Sequence, residues 1–149
     1  MTASDPSAVW APFRPVRGRR TAIGFAVAQA VVIVAIGLVV PGAGPIDYIG
    51  FVAVAALIGA VLLRFAQLRA DPTPGGLVVH NLVRREELSW AQIVAVRFGD
   101  GDPWVLLDLS DGETLAVMAI QRADGARAAA EARRLSGLVA ANSRTPRDD

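Results

Sequence analysis

The sequence has no cysteine and no lysine, and His80 is its only histidine. Without Cys there is no disulfide framework, no thiolate nucleophile and no Cys-based metal site, and the redox compartment is left open. A lone imidazole without a Cys or a second His does not make a typical zinc site, and a structural role is expected for His80. The remaining basic residues are 15 arginines against 14 Asp and Glu, a formal net charge of +1. So even a balance supplies no overall field to draw nucleic acid. With its abundant Ala, Gly, Val and Asp, the Lys-free composition has the stamp of a GC-rich genome. Arginine is therefore not read here as selected for phosphate, although it is the better phosphate fork.

Catalytic patterns are missing as well. Ser89 and Ser110 could be set beside His80 and an Asp, but neither a nucleophile elbow nor a glycine-rich oxyanion loop is present. Glu86 and Glu87 are adjacent, so in a strand they face opposite ways and make no carboxylate pair. No Walker or Rossmann phosphate loop occurs. The expectation is no enzyme, no cofactor and no metal.

Charge is also missing from one long stretch, and here the absence is informative. Apolar residues make up 53% of the chain and charged residues 19%, and the excess sits between Thr21 and Leu63. Thr21 to Val40 is free of charge and long enough, at about 1.5 Å per residue, to cross a hydrocarbon core of about 30 Å. Pro41-Gly42-Ala43-Gly44-Pro45 makes a turn. Ile46 to Leu63 is a second apolar run, with Asp47 near its start and Arg64 just beyond its end, where charges reach headgroups. A transmembrane hairpin over 21–63 is predicted. A secretory signal is the weaker reading, because the first run is longer than an h-region and the turn has no clean Ala-x-Ala site.

Arg14, Arg17, Arg19 and Arg20 precede the first span, Arg64 and Arg69 follow the second, and the connecting turn has no basic residue. Both termini are expected in the cytoplasm of a bacterial cell, with residues 1–20 as an N-terminal tail. Trp10, Phe13 and Tyr48 are candidate interfacial anchors. Small residues at Ala22, Ala26 and Ala30, and at Ala55–Gly59 and Ala56–Ala60, would allow close helix approach, including self-association through the spans. Gln29 is expected to bond across the hairpin or to a neighbouring copy.

After a linker at Arg69–Gly76 the period becomes that of strands: Leu77 to His80, Val83 to Leu88, Ile93 to Phe98, Trp104 to Leu109 and Leu115 to Ile120, separated by turn residues. Gly112 is expected at positive φ. Asp124 is a candidate N-cap for a helix running to Ala141, with Ala128, Ala132, Leu135 and Val139 as its apolar stripe. A sheet of about five antiparallel strands over 71–141, closed by that C-terminal helix, is the predicted domain. Residues 142–149 are expected to be a disordered tail.

The run Gly75-Gly76-Leu77-Val78-Val79-His80-Asn81, then Arg84-Arg85, Ser89-Trp90-Ala91-Gln92-Ile93, Arg97-Phe98-Gly99, Trp104 and Asp108-Leu109-Ser110-Asp111-Gly112, resembles the small bacterial pleckstrin-homology (PH) domains of two-span membrane proteins, including the low molecular weight protein antigen 6 type. One departure is Leu82, where members often have Gly after Asn. The resemblance implies a PH-like α+β module behind two transmembrane helices, with Trp90 as a core anchor whose N–H bonds to backbone. The motifs are structural and not catalytic, and because a sheet edge or a helix groove can accept a peptide without special residues, a protein-binding adaptor with an unknown partner is the first functional expectation. The alternatives are an anionic-lipid sensor using Arg84 and Arg85, whose field Glu86 and Glu87 oppose, and, third, a small oligomeric pore.

Overall fold

The computed structural model describes residues 9–143. The chain divides into two units, residues 17–67 and a second unit built from the residues on either side of them.

The first unit is a helical hairpin. Helix α1 (Arg17–Val39) has 23 residues and α2 (Pro45–Ala66) has 22. Helix α1 begins before Thr21 because arginine is a good helix former and its charge does not interrupt the backbone ladder. In the turn Gly42 has φ +78°, a conformation open to glycine. Asp47 caps α2 by accepting the N–H of Gly44 at 2.8 Å, and Pro45 occupies the first turn where no N–H is needed.

Across the hairpin the Tyr48 hydroxyl donates to the Gly37 carbonyl at 2.9 Å. A side chain at Gly37 would meet the Tyr48 ring at 3.2 Å, so this close approach uses glycine. Tyr48 is therefore a clip between the helices as well as an aromatic at one end of the hairpin. Gln29 does bond across the hairpin, donating to the Ala55 carbonyl at 3.4 Å. Both helices are long and apolar enough to cross a membrane, with only 11% and 0% of their most apolar windows buried.

The second unit is a two-sheet sandwich with a helix. Strands β1 (Arg69–Thr73), β2 (Gly76–His80) and β3 (Arg85–Ser89) form one antiparallel sheet in that order. Strands β4 (Ile93–Arg97), β5 (Trp104–Leu109) and β6 (Thr114–Gln121) form the other. The expected five strands are thus six. The addition is β1, read from sequence as a linker because of Pro72 and Pro74. Its tolerance of Pro72 is geometric. Ala70 directs both backbone groups away from β2, to Phe13, and Pro72, in phase with it, needs no N–H for the β2 ladder. At the β1–β2 turn a Cβ on Gly76 would sit 1.9 Å from the Leu88 carbonyl oxygen, so β2 and β3 approach over a bare glycine.

Helix α3 (Ala126–Asn142) buries Ala128, Ala132, Leu135 and Val139 as expected, together with Leu138. The residue at its N-cap is Gly125, with φ +62°, and not Asp124. The Asp124 carboxylate instead accepts the Val16 N–H at 3.0 Å. Asn142 belongs to the last turn of α3, and Ser143 donates its hydroxyl to the Trp90 carbonyl at 2.9 Å. Residues 144–149 of the expected tail lie outside the described residues, as do residues 1–8.

Trp90 is buried, and its indole N–H donates to the Thr73 carbonyl at 2.9 Å. Gly112 has φ +86°. These two features agree with the sequence reading. Phe13 does not. It is 1% exposed, within the core that contains Leu77, Val79, Leu107 and Leu135. Its N–H and carbonyl pair with Ala70 at 2.8 and 3.0 Å, so the N-terminal segment adds an antiparallel bridge to the free edge of β1.

Arg134 of α3 holds the segment from the other side, its guanidinium 3.8 Å from the Phe13 ring centroid and donating to the Ala11 carbonyl at 2.9 Å. Trp10 leans on Trp90 with ring centroids 6.4 Å apart. Phe13 and Trp10 are parts of the domain, not interfacial anchors, because burying an aromatic against a small core gains more than any surface position offers.

Candidate functional site

Three features of the second unit are open to ligands: a cleft, a charged sheet face and free strand edges. The cleft holds about 390 Å³ between the β2–β3 turn and the β5–β6 hairpin. Leu82, Leu88, Leu109 and Leu115 supply its apolar walls, and Arg84, Glu86 and Glu113 its charge. The turn is closed by the Asn81 N–H donating to the Arg84 carbonyl at 2.9 Å.

Asn81 explains how the cleft is held open. Its amide donates to the Ala116 carbonyl at 2.7 Å, and its side-chain oxygen accepts the Met118 N–H at 3.2 Å. The side chain thus acts as a spare peptide group that ties one sheet to β6 of the other. Asn81→Leu would strand both backbone partners. A loss of about 2 to 4 kcal/mol in stability is expected, seen as a lower midpoint in denaturant, while Asn81→Asp should lose less because one bond survives.

Arg84 and Arg85, the candidate headgroup ligands, are neighbours in sequence but not in space. Arg84 lines the cleft with Glu86. Arg85 lies in β3 opposite His80 and is ion-paired to Glu87 at 2.5 Å. Strand alternation separates each pair, so the two arginines do not grip one ligand together.

His80 lies in the same cross-strand row as Arg69 and Arg85. Its Nε2 is 3.4 Å from the Asp71 carboxylate, which also pairs with Arg69 Nε at 3.1 Å. Among the described residues no group of three or more His, Asp or Glu side chains is placed to hold a metal ion. Sequence reading missed Asn81 and the cross-strand row. The row needs the register of β1, which the prolines concealed. Asn81 is a long-range contact with no local signal.

Sequence comparison gives a likeness for part of this arrangement of two sheets, a helix along one side and a hairpin cleft. Residues 66–138 match the bacterial PH domain family. The match begins at residue 66 and so takes in β1. PH domains are typically non-enzymatic modules. Uncharacterised proteins of Mycobacterium bovis and Mycobacterium tuberculosis are 40% identical to the chain over 84 residues, 56% of this chain and 54% of the relative. The chain therefore spans about half the length of the curated relatives it matches. No solved structure matches it.

The arginines of the PH-like domain mostly serve its own fold. Arg97 pairs with Asp108 at 2.7 Å. Arg122 donates to the Asp102 and Gly99 carbonyls and covers the Phe98 ring at 4.8 Å. Arg134 clasps the N-terminal segment. These contacts give the three arginines structural roles.

Proposed function

We propose that the chain is a membrane-tethered PH-like interaction module of the two-span, low molecular weight protein antigen 6 kind. Its hairpin spans the bacterial cell membrane with both termini cytoplasmic, and its domain serves as a protein-binding adaptor at the inner face. The observation that supports this reading is the pairing of an exposed helical hairpin, charged only near its helix ends, with a domain that retains an open cleft. Confinement at the bilayer makes strong lipid affinity unnecessary for recruitment. A partner then needs only modest affinity, because both molecules share a surface.

Val83 is 86% exposed at the tip of the turn that borders the cleft. An apolar side chain so presented, with Leu82 beside it, suits a partner contact. Peptide addition to a strand edge is less favoured. The edge strand β3 carries Arg85, Glu86 and Glu87, and β4 has an irregular register between Ile93 and Ala95, both of which discourage pairing.

A photo-crosslinking residue at Val83 in the full chain, in intact cells, is expected to trap one defined protein. Leu115→Arg, which alters the cleft wall, should abolish that product, while the same probe at Val94 on β4 should not give it. Equal products from Val83 and Val94, or none from either, would reject the adaptor reading. Anionic-lipid sensing through Arg84 and Arg85 is the alternative, and the separation of the two side chains argues against a shared pocket.

A further inference from the structure

The cleft between the two sheets sets charge beside apolar walls, and strand parity explains how. Register places Glu86 opposite Val79 and Leu88 opposite Leu77, and Val79, Leu77 and Leu88 are all buried. Glu86 therefore shares the inward parity of Leu88, whereas Glu87 faces outward with Arg85. Glu86 is half-buried there. An acidic side chain on a core-lining face calls for a partner, because carboxylates are seldom taken out of water alone.

Glu113 reaches the same cleft from the β5–β6 turn, so the two carboxylates come from opposite sheets. Among the described residues no ion pair involves Glu86, Glu113 or Arg84. Two negative groups and one positive group thus line the cleft with no protein partner. Leu88, Leu109 and Leu115 give it an apolar floor, and Met118 adds a side chain that adapts its shape. Its volume of about 390 Å³ is at the low end for ligand pockets, about 300 to 1,000 Å³. A short piece of chain fits, and a helix does not.

We propose that the cleft receives a short segment of a partner protein in which one basic side chain stands next to an apolar one. The apolar side chain rests on Leu88, Leu109 and Leu115, and the cation lies between Glu86 and Glu113. The inference deepens the adaptor reading above and rests on it. A cation in that place offsets the cost of holding Glu86 on an inward face. An acidic side chain there meets like charge, which makes the cleft selective. Arg84, on the turn beside Val83, opposes a second cation, so a single basic residue and not a basic run is the matching pattern.

The test uses the full chain in uncharged maltoside micelles. The probes are short fluorescent peptides, acetylated and amidated, with adjacent leucine and arginine in a glycine–serine background. Anisotropy titration is expected to show the arginine peptide binding about tenfold more tightly than the same peptide with glutamate, a difference that shrinks in high salt. Replacing the peptide's leucine by serine should also weaken binding. Glu86→Gln or Glu113→Gln should each lower affinity for the arginine peptide by up to about fivefold, and the two together should remove the preference for arginine over glutamate. A peptide with glutamine in place of arginine should bind the parent and Gln chains alike, which shows the cleft intact. Glu87→Gln, on the outer face, should change none of these affinities.

Equal affinity for the arginine and glutamate peptides overturns the proposal, as does an arginine preference that survives glutamine at both positions, or no binding of any peptide. The Val83 crosslink in intact cells separates the two levels. A product trapped equally by the parent and doubly substituted chains rejects cation recognition and keeps the adaptor reading. No product from Val83 in the parent chain rejects the adaptor reading itself.

Discussion

Phe13→Ala is expected to lower the stability of the PH-like domain by about 3 to 5 kcal/mol, a large part of the 5 to 15 kcal/mol typical of a small domain. Three effects act together. The ring is 1% exposed, so its removal leaves a cavity among core residues. Arg134 loses the ring face that its guanidinium covers at 3.8 Å. The backbone bridge to Ala70 loses the side chain that anchors it.

In the full chain in detergent, amides of β2 and β5 should exchange with deuterium at least a hundredfold faster if they open through global unfolding. Arg134→Met, which keeps apolar length but removes the donors to the Ala11 carbonyl, should act in the same direction and more weakly. If Phe13 acted as a membrane-interface anchor, its loss would leave exchange in β2 and β5 unchanged. A practical consequence follows for domain fragments. One that starts at Asp71 lacks Phe13, Leu68 and Ala70, all of them buried, and is expected to unfold.

The segments that were legible in the sequence are those whose signal is local. The apolar runs at Thr21–Val40 and Ile46–Leu63 lie almost wholly within the two helices. The stripe on α3 reads at helical spacing, and Gly112 marks its own turn. What escaped depends on distant partners. Phe13 sits between Pro12 and Pro15, which disfavour helix and mark an extended segment, but nothing local says that its edge is taken up by β1. β1 was hidden because a proline is harmless only when its nitrogen points away from the ladder, a fact of register. Asp124 resembles an N-cap, yet its carboxylate is taken by the Val16 N–H, and Gly125 assumes the capping position. For the site, adjacency in sequence grouped Arg84 with Arg85, and strand parity divides them. The cleft arises only when both sheets are in place, and the basic row only when β1, β2 and β3 are in register.

Placing arginine at the middle of either helix tests the tether that the functional reading requires. Val27 is 60% exposed and Leu57 68% exposed in the hairpin. On a water-facing helix, replacing either by Arg would change stability by less than about 0.5 kcal/mol and would improve solubility. In lipid the same change costs about 3 kcal/mol at the helix centre. The sign of the effect therefore distinguishes the two surroundings.

In bacterial membranes washed with alkaline carbonate, the parent chain is expected to stay with the bilayer. Val27→Arg or Leu57→Arg should reduce the retained fraction by up to about a hundredfold at equilibrium, and the double variant should abolish retention. Val83→Arg, at a still more exposed site in the PH-like domain, should leave retention unchanged. Parent chain released by carbonate, or mid-helix arginines without effect, would remove the basis for a built-in tether. The adaptor reading depends on that basis, since the module would then need affinity of its own to reach the membrane.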